Sequence, residues 1–251
     1  MLSKDMIERY NRDGFLKIMS VFTRADCEHF KETLLNTAND GVQQKIDEVN
    51  KGIPIQYDRE KIADVPRAID KGMLQDIAHR NTIFMNLARD SRILGCLRPL
   101  IGNNLVMYRS LSVFKPKEYS KPVGWHRYMA YWRGGDKKIS VWIALDEANA
   151  DNGALHFIPG SQNQEVDPSQ YEKDNEVFSI VLPGRLVDKS KDILVEAGVG
   201  DVILFHSKVF HYSGANVSGK DRYSLIFSFQ PSSDESHHRT GLPELVSGTR
   251  S

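Results

Sequence analysis

The sequence predicts a mainly β domain, a sandwich or barrel with a helical layer packed on it. Three observations carry this. Helical spacing dominates the first hundred residues, and period-two alternation takes over after residue 104. Short apolar runs in the second part are separated by Gly, Pro and Asn turns. Two of those runs have one bulky apolar face and one small or polar face, which a barrel enclosing a small ligand needs on its inside.

Each element has a local reason. Met6, Ile7 and Tyr10 lie at helical spacing, and Gly14 ends that helix before a short strand, Phe15-Leu16-Lys17-Ile18. Thr23 followed by Asp26 is a capping-box start, and Cys27, Phe30 and Leu34 form the stripe behind it. Residues 40–75 are polar and weakly patterned, with Pro54 and Pro66, and read as a loop or lid. Phe84, Leu87 and Ala88, then Ile93, Leu94 and Leu97, predict two short helices ending near Gly102. Ile139, Val141, Ile143 and Leu145 alternate with Ser140, Trp142 and Ala144. Val202 to His206 is a short apolar strand, and Tyr223, Leu225, Phe227 and Phe229 alternate with Arg222, Ser224, Ile226 and Ser228. No linker or repeat divides the chain. The expectation is one domain over residues 1–230, with a helical layer at about 1–103 and the barrel at about 104–230. Residues 231–251 are expected to be a polar, flexible tail.

Composition narrows the partners. In 251 residues, Lys plus Arg and Asp plus Glu number 33 each, which argues against nucleic acid held on a broad basic surface. No apolar run reaches the ~18 residues of a membrane span. Met1 to Asp5 lacks the apolar core of a secretion signal. Cys27 and Cys96 are too few for a disulfide framework, so a cytoplasmic setting is expected.

The chemistry-bearing residues are His126 in Trp125-His126-Arg127-Tyr128, His211 in Phe210-His211-Tyr212-Ser213-Gly214, and Arg222. In a strand, residues i and i+2 face the same way. A His-x-Asp pair therefore holds one metal from one strand, and a distant histidine completes a facial site with open positions. His126 and His211 fit the two histidine roles, but Tyr128 stands where the acid belongs. Arg222, on the small-residue face of its strand, suits a carboxylate bound through its planar fork. Ser213 and Ser224 are candidate hydroxyl donors to the same anion. Glu118, Asp136 and Asp146 are the acids near enough in sequence to be considered as substitutes, with Asp146 read as a turn residue. His29, His79, His156, His206, His237 and His238 read as structural or solvated, Ser161 as a turn hydroxyl, and Lys137-Lys138 as a solvated loop.

An ordered set of motifs then resembles one family. It runs from Tyr10-Asn11-Arg12-Asp13-Gly14-Phe15-Leu16 through Gly124-Trp125-His126, Tyr131-Trp132 and Val141 to Asp146. It continues through Asp151 to Leu155, Ile158-Pro159-Gly160-Ser161, Phe205-His206-Ser207 and His211 to Asn216, and ends at Arg222. The set, spanning roughly residues 6–230, resembles the phytanoyl-CoA dioxygenase family. The resemblance implies a double-stranded β-helix of the jelly-roll, cupin-like kind. It implies Fe(II), 2-oxoglutarate as cosubstrate and a small-molecule substrate. By position, His126 and His211 match the iron-binding histidines and Arg222 the cosubstrate arginine, with Trp142 and Ser213 as further cosubstrate contacts. Tyr128 departs from the pattern and leaves three readings open. Iron is held by an altered ligand set in which Tyr128 has a role; or the site is halogenase-like, lacking a carboxylate ligand; or metal binding is lost and the chain is a non-catalytic binding homologue.

Overall fold

The structure is a computed structural model, and it describes residues 2–50, 73–117, 120, 122–132, 134, 135, 137–173, 180–234, 236 and 244–249, with only the backbone for 39–50. Helix α1 (Lys4–Asp13) is capped by Ser3, whose hydroxyl accepts the Met6 N–H at 3.2 Å, and it stops at Gly14, where φ is 82°. Strand β1 (Phe15–Ile18) follows. The capping box is present: Thr23 N–H donates to Asp26 Oδ2 at 2.9 Å, and Asp26 N–H to Thr23 Oγ1 at 3.1 Å. Helix α2 (Arg24–Asn50) runs on from it, so the first part of the expected loop 40–75 is helical. Residues 51–72 of that loop lie outside the described residues. Then come β2 (Met73–Gln75), α3 (Ile77–Arg80), α4 (Thr82–Ala88) and α5 (Ser91–Ile101). The two expected short helices are α4 and α5. Helix α5 is capped by Asp90, which accepts the Arg92 N–H at 2.8 Å.

The strands that follow are β3 (Leu105–Lys115), β4 (Val123–His126), β5 (Ile139–Ala144), β6 (Leu155–Phe157), β7 (Glu172–Lys173) and β8 (Ile180–Val181). After them come β9 (Ile193–Val195), β10 (Val202–His206), β11 (His211–Ser213), β12 (Arg222–Pro231) and β13 (Glu244–Ser247). They form a seven-stranded sheet, β1-β10-β5-β12-β3-β13 with β2 also on β3, and a four-stranded sheet, β4-β11-β6-β9. Strands β7 and β8 pair separately, and all pairings are antiparallel.

The alternation in β5 and β12 decides the layers. Ile139, Val141, Ile143, Leu225, Phe227 and Phe229 pack against Cys27, Phe30, Leu34, Phe84 and Leu97 of the helices. The opposite face carries Trp142, Ala144, Ile203, Phe205 and Ile226, which meet Leu155, Phe157 and Val195 of the smaller sheet. Phe15 stacks on Phe157 at 4.4 Å between ring centroids and ties the two sheets together. The uniformly apolar face of β5 and β12 thus turns to the helices, and the mixed face, where Trp142 and Ile226 alternate with Ser140, Ala144, Ser224 and Ser228, looks inward.

Two expectations are corrected. Residues 231–251 are not wholly a tail: β13 pairs with β3, and Val246 is buried in the helical-side core. An apolar Leu245-Val246 pair beside an open sheet edge is more stable docked than solvated. Lys138 is not solvated either. It is fully buried, its ammonium donating to Gly135 O at 2.9 Å and to Asp234 Oδ2 at 2.5 Å, 5.1 Å from the Tyr108 ring centroid. Residues 137–138 lead into β5, and a long cation there reaches the C-terminal segment rather than water. No helix among the described residues is long and apolar enough to cross a membrane.

Phe227 is fully buried between β12 and the helices. Phe227→Ala is expected to cost about 3–5 kcal/mol, read as a lowered urea midpoint with unchanged slope.

Candidate metal centre and anion pocket

His126 ends β4 and His211 begins β11, and the two are directly opposite in the antiparallel register. Directly opposed residues project on the same face, and the imidazole centroids are 4.0 Å apart. Both rings are buried. His126 Nδ1 lies 2.8 Å from Gly124 O, and His211 Nδ1 lies 3.0 Å from Val209 O. Each Nδ1–H therefore donates to a backbone carbonyl, which leaves Nε2 as the lone-pair nitrogen, the tautomer a metal-ligating histidine needs. Nε2 of His211 is buried without a hydrogen-bond partner. Burial and the neighbouring His126 hold the His211 imidazole well below its ordinary pKa, so it is neutral. Ser161 fixes this strand's start: its hydroxyl accepts the Phe210 N–H at 2.8 Å and donates to Ile158 O at 2.6 Å. It is the turn hydroxyl the sequence suggested.

Arg127 and Tyr128 separate as strand geometry requires. Arg127 leaves the pocket: Nε donates to Tyr171 Oη at 2.5 Å, Nη1 to Gln164 O at 3.1 Å and Nη2 to Val166 O at 3.1 Å. Tyr128 opens a 3-10 turn, Tyr128–Ala130, on the inner side. Its ring is edge-on to His211 at 4.8 Å, 5.6 Å from His126, 4.7 Å from Trp132 and 5.6 Å from Phe205, all between centroids. Burial pushes its phenol up to about 12, against a smaller downward pull from Arg109. At neutral pH Tyr128 is a protonated phenol beside the histidine pair. Among the described residues no group of three His, Cys, Asp or Glu side chains is placed to hold a metal. Asp146 points away: it takes Lys31 Nζ at 2.8 and 2.9 Å and the Tyr223 N–H at 2.9 Å. Asp136 and Glu118 lie outside the described residues. His206 is a turn acceptor for the Lys208 N–H at 3.1 Å, and His156 pairs with Asp192 at 3.0 Å.

Arg222 is buried at 1% exposure on the inner face of β12. Nε and Nη1 have no hydrogen-bond partner, and the guanidinium lies 5.6 Å from the Trp142 ring centroid. Burial lowers its pKa to about 10, with Asp146 pulling the other way. An unsatisfied buried cation is costly, so an anion is the natural complement. Arg222 and Trp142 are thus brought together as expected. The serines are nearby but differently engaged. The Ser213 hydroxyl donates to Gly153 O at 2.8 Å, and that of Ser224 to Val113 O at 3.4 Å, so both protons are directed at backbone carbonyls.

The sequence reading missed the cations of β3. The β12–β3 register sets Lys115 opposite Arg222 and Arg109 opposite Ser228. Lys115 is buried at 3% exposure and donates from Nζ to Gly214 O at 2.5 Å. Arg109 donates to Gln75 Oε1 at 3.1 and 2.6 Å. The signal was present as two cations spaced by six on one strand phase, Arg109 and Lys115. It becomes meaningful only once β3 is known to pair with β12.

Two facing antiparallel sheets bring an inward histidine pair and a buried arginine into the interior of a mainly β protein. The chain belongs to the Phytanoyl-CoA dioxygenase (PhyH) family, whose model matches residues 10–224. It is 26% identical over 257 residues to a Phytanoyl-CoA dioxygenase domain-containing protein 1 homolog of Caenorhabditis elegans, covering 88% of each chain. It is 24% identical over 249 residues to an ectoine dioxygenase of Stutzerimonas stutzeri (strain A1501), covering 91% of this chain and 76% of that one. Among solved structures it shares the fold of EctD from S. alaskensis with bound Fe, at a TM-score of 0.72 and 19% identity, covering 98% of this chain and 83% of that one. EctD has also been solved with 2-oxoglutarate and 5-hydroxyectoine.

Burial and the Arg222 charge together lower the Lys115 ammonium from 10.5 to about 7. Between those values the unfolded chain binds a proton that the folded chain does not, so stability rises with pH across that window. Urea midpoints of the ligand-free protein are expected to rise from pH 7 to pH 9, and to rise less in Lys115→Gln.

Proposed function

We propose that the chain is an iron(II)- and 2-oxoglutarate-dependent oxygenase, built on a double-stranded β-helix and acting on a small molecule by hydroxylation or related C–H oxidation. The observation that carries this is Arg222, a fully buried guanidinium with Nε and Nη1 unpartnered, set beside Trp142 in the inter-sheet core that also packs around the histidine pair. The reading has further support in the ectoine dioxygenase relative and in the iron- and 2-oxoglutarate-bound EctD structures. Free, buried Cys27 and Cys96 accord with a reducing, cytoplasmic setting.

The donor set fits iron at two positions and departs at the third. His126 and His211 would hold the ion through Nε2, their rings fixed by the Gly124 and Val209 carbonyls. Iron with 2-oxoglutarate supplies activation of dioxygen, coupled to oxidative decarboxylation of the cosubstrate to succinate. The chain's own residues do the positioning. Arg222 takes the far carboxylate through its fork, and Trp142 walls the guanidinium. Tyr128, Trp132 and Phe205 pack around the histidines and exclude water. Tyr128 packs its ring beside both histidines at the family's carboxylate position, so His126 and His211 would be the protein groups left to hold iron.

A second reading, a non-catalytic 2-oxoglutarate or ligand binder, is favoured by the absence of a third metal-binding acid among the described residues. The halogenase-like reading fares worse, because the Tyr128 ring occupies the room such a site needs.

Anaerobic titration with iron(II) and 2-oxoglutarate separates the first two. The oxygenase reading expects a weak visible charge-transfer band, and succinate once oxygen is admitted. Binding of 2-oxoglutarate with neither signal would leave only the binder. Tyr128→Asp restores the carboxylate and is expected to tighten iron(II) or cobalt(II) binding roughly tenfold or more, measured by competition with a metal-sensitive dye. Unchanged metal affinity would mean that Tyr128 does not sit in the ligand position.

A further inference from the structure

We propose that Lys115 is a second cosubstrate-binding cation, which with Arg222 forms a two-cation socket for the carboxylate remote from the histidines. The proposal deepens the oxygenase reading and rests on it.

The two residues are partners in the β3–β12 register and face the same interior. Side chains opposed in this way have Cβ atoms about 5 Å apart. Both are almost completely buried, at 3% and 1% exposure. The Lys115 stem runs across the gap between the sheets. A Cβ at Gly153 would lie 2.8 Å from Lys115 Cδ and 2.9 Å from Cε, so only glycine leaves the stem its path. The ammonium then reaches Gly214 O at 2.5 Å, the residue after Ser213. Lys115 therefore links its register partner Arg222 to the Ser213-Gly214 turn between the two sheets. Burial, with a further contribution from the like charge of Arg222 in register with it, lowers the Lys115 ammonium toward neutrality. An anion between them reverses the sign of that interaction. A carboxylate has lone pairs for both donors, and a hydrogen bond to a charged group contributes about 1.5–3 kcal/mol.

The consequence is selectivity for 2-oxo dicarboxylates over 2-oxo monocarboxylates of the same length. It is tested on the iron(II)-loaded protein under anaerobic conditions by calorimetric titration with 2-oxoglutarate and with 2-oxopentanoate, which lacks the far carboxylate. Lys115→Gln keeps a donor for Gly214 O and removes the charge. It is expected to weaken 2-oxoglutarate binding roughly tenfold or more, the range set by a charged hydrogen bond, and to change 2-oxopentanoate binding less than twofold. Lys115→Arg, which keeps the charge, is expected to retain most of the preference and stands in if the glutamine variant does not fold. Equal weakening toward both acids would make Lys115 a strut between the sheets and overturn the proposal. So would a Lys115→Gln or Lys115→Arg protein whose preference contradicts its charge. Wild type that binds neither acid overturns the cosubstrate reading itself, and this inference with it. Wild type that prefers 2-oxoglutarate while Lys115→Gln prefers it equally overturns the inference alone.

Discussion

The alternation of β12 is the constraint on which the rest of the molecule depends. This strand lies between β3 and β5, and its two faces have opposite tasks. Leu225, Phe227 and Phe229 must be covered, and the N-terminal helices cover them. Arg222, Ser224, Ile226 and Ser228 lie on the other face, toward the smaller sheet. A slip of one residue would exchange the faces, sending aromatic rings into the cavity and a guanidinium into the helical core. The hydrophobic energy of the helical layer thus sets the register that presents Arg222 to the interior.

The interior is polar at a cost. Arg222 and Lys115 are both held out of water across one strand pair, and burial lowers the pKa of each. Proteins tolerate buried charge where function needs it and stability elsewhere compensates. The Ser140 and Ser228 hydroxyls, by contrast, satisfy each other at 3.0 Å across β5 and β12. The inner surface is therefore not uniformly strained. Arg222 Nε and Nη1, His211 Nε2 and Trp132 Nε1 are among its polar atoms without a hydrogen-bond partner.

Tyr128 gives the site its individual character. Strand β4 ends at His126, and the chain turns at Tyr128 into a 3-10 turn held by the Tyr131 N–H to Tyr128 O at 2.9 Å. That turn keeps residue 128 on the inner side, beside the histidine pair. The aromatic ring joins Trp132 and Phe205 in an apolar wall. The phenol proton of Tyr128 is retained because burial disfavours the anion.

The sequence alone indicated β1, β5, β10 and β12, the helical layer and the Thr23–Asp26 capping box, and it singled out the two histidines and Arg222, because periodicity, caps and motif order are local properties of the chain. It could not place Lys115, Lys138 or β13. Lys115 lies far from Arg222 in sequence, and only strand pairing sets them opposite each other. Lys138 reads as a loop cation until Asp234 arrives from the C-terminal segment. Leu245 and Val246 look like a polar tail's exceptions until β3 offers an edge. Tertiary structure also decided what the serines do, since the carbonyls of Gly153 and Val113 claim their protons. In each case the deciding partner is distant in the chain, and the energy that selects it comes from burial and pairing that no local pattern encodes.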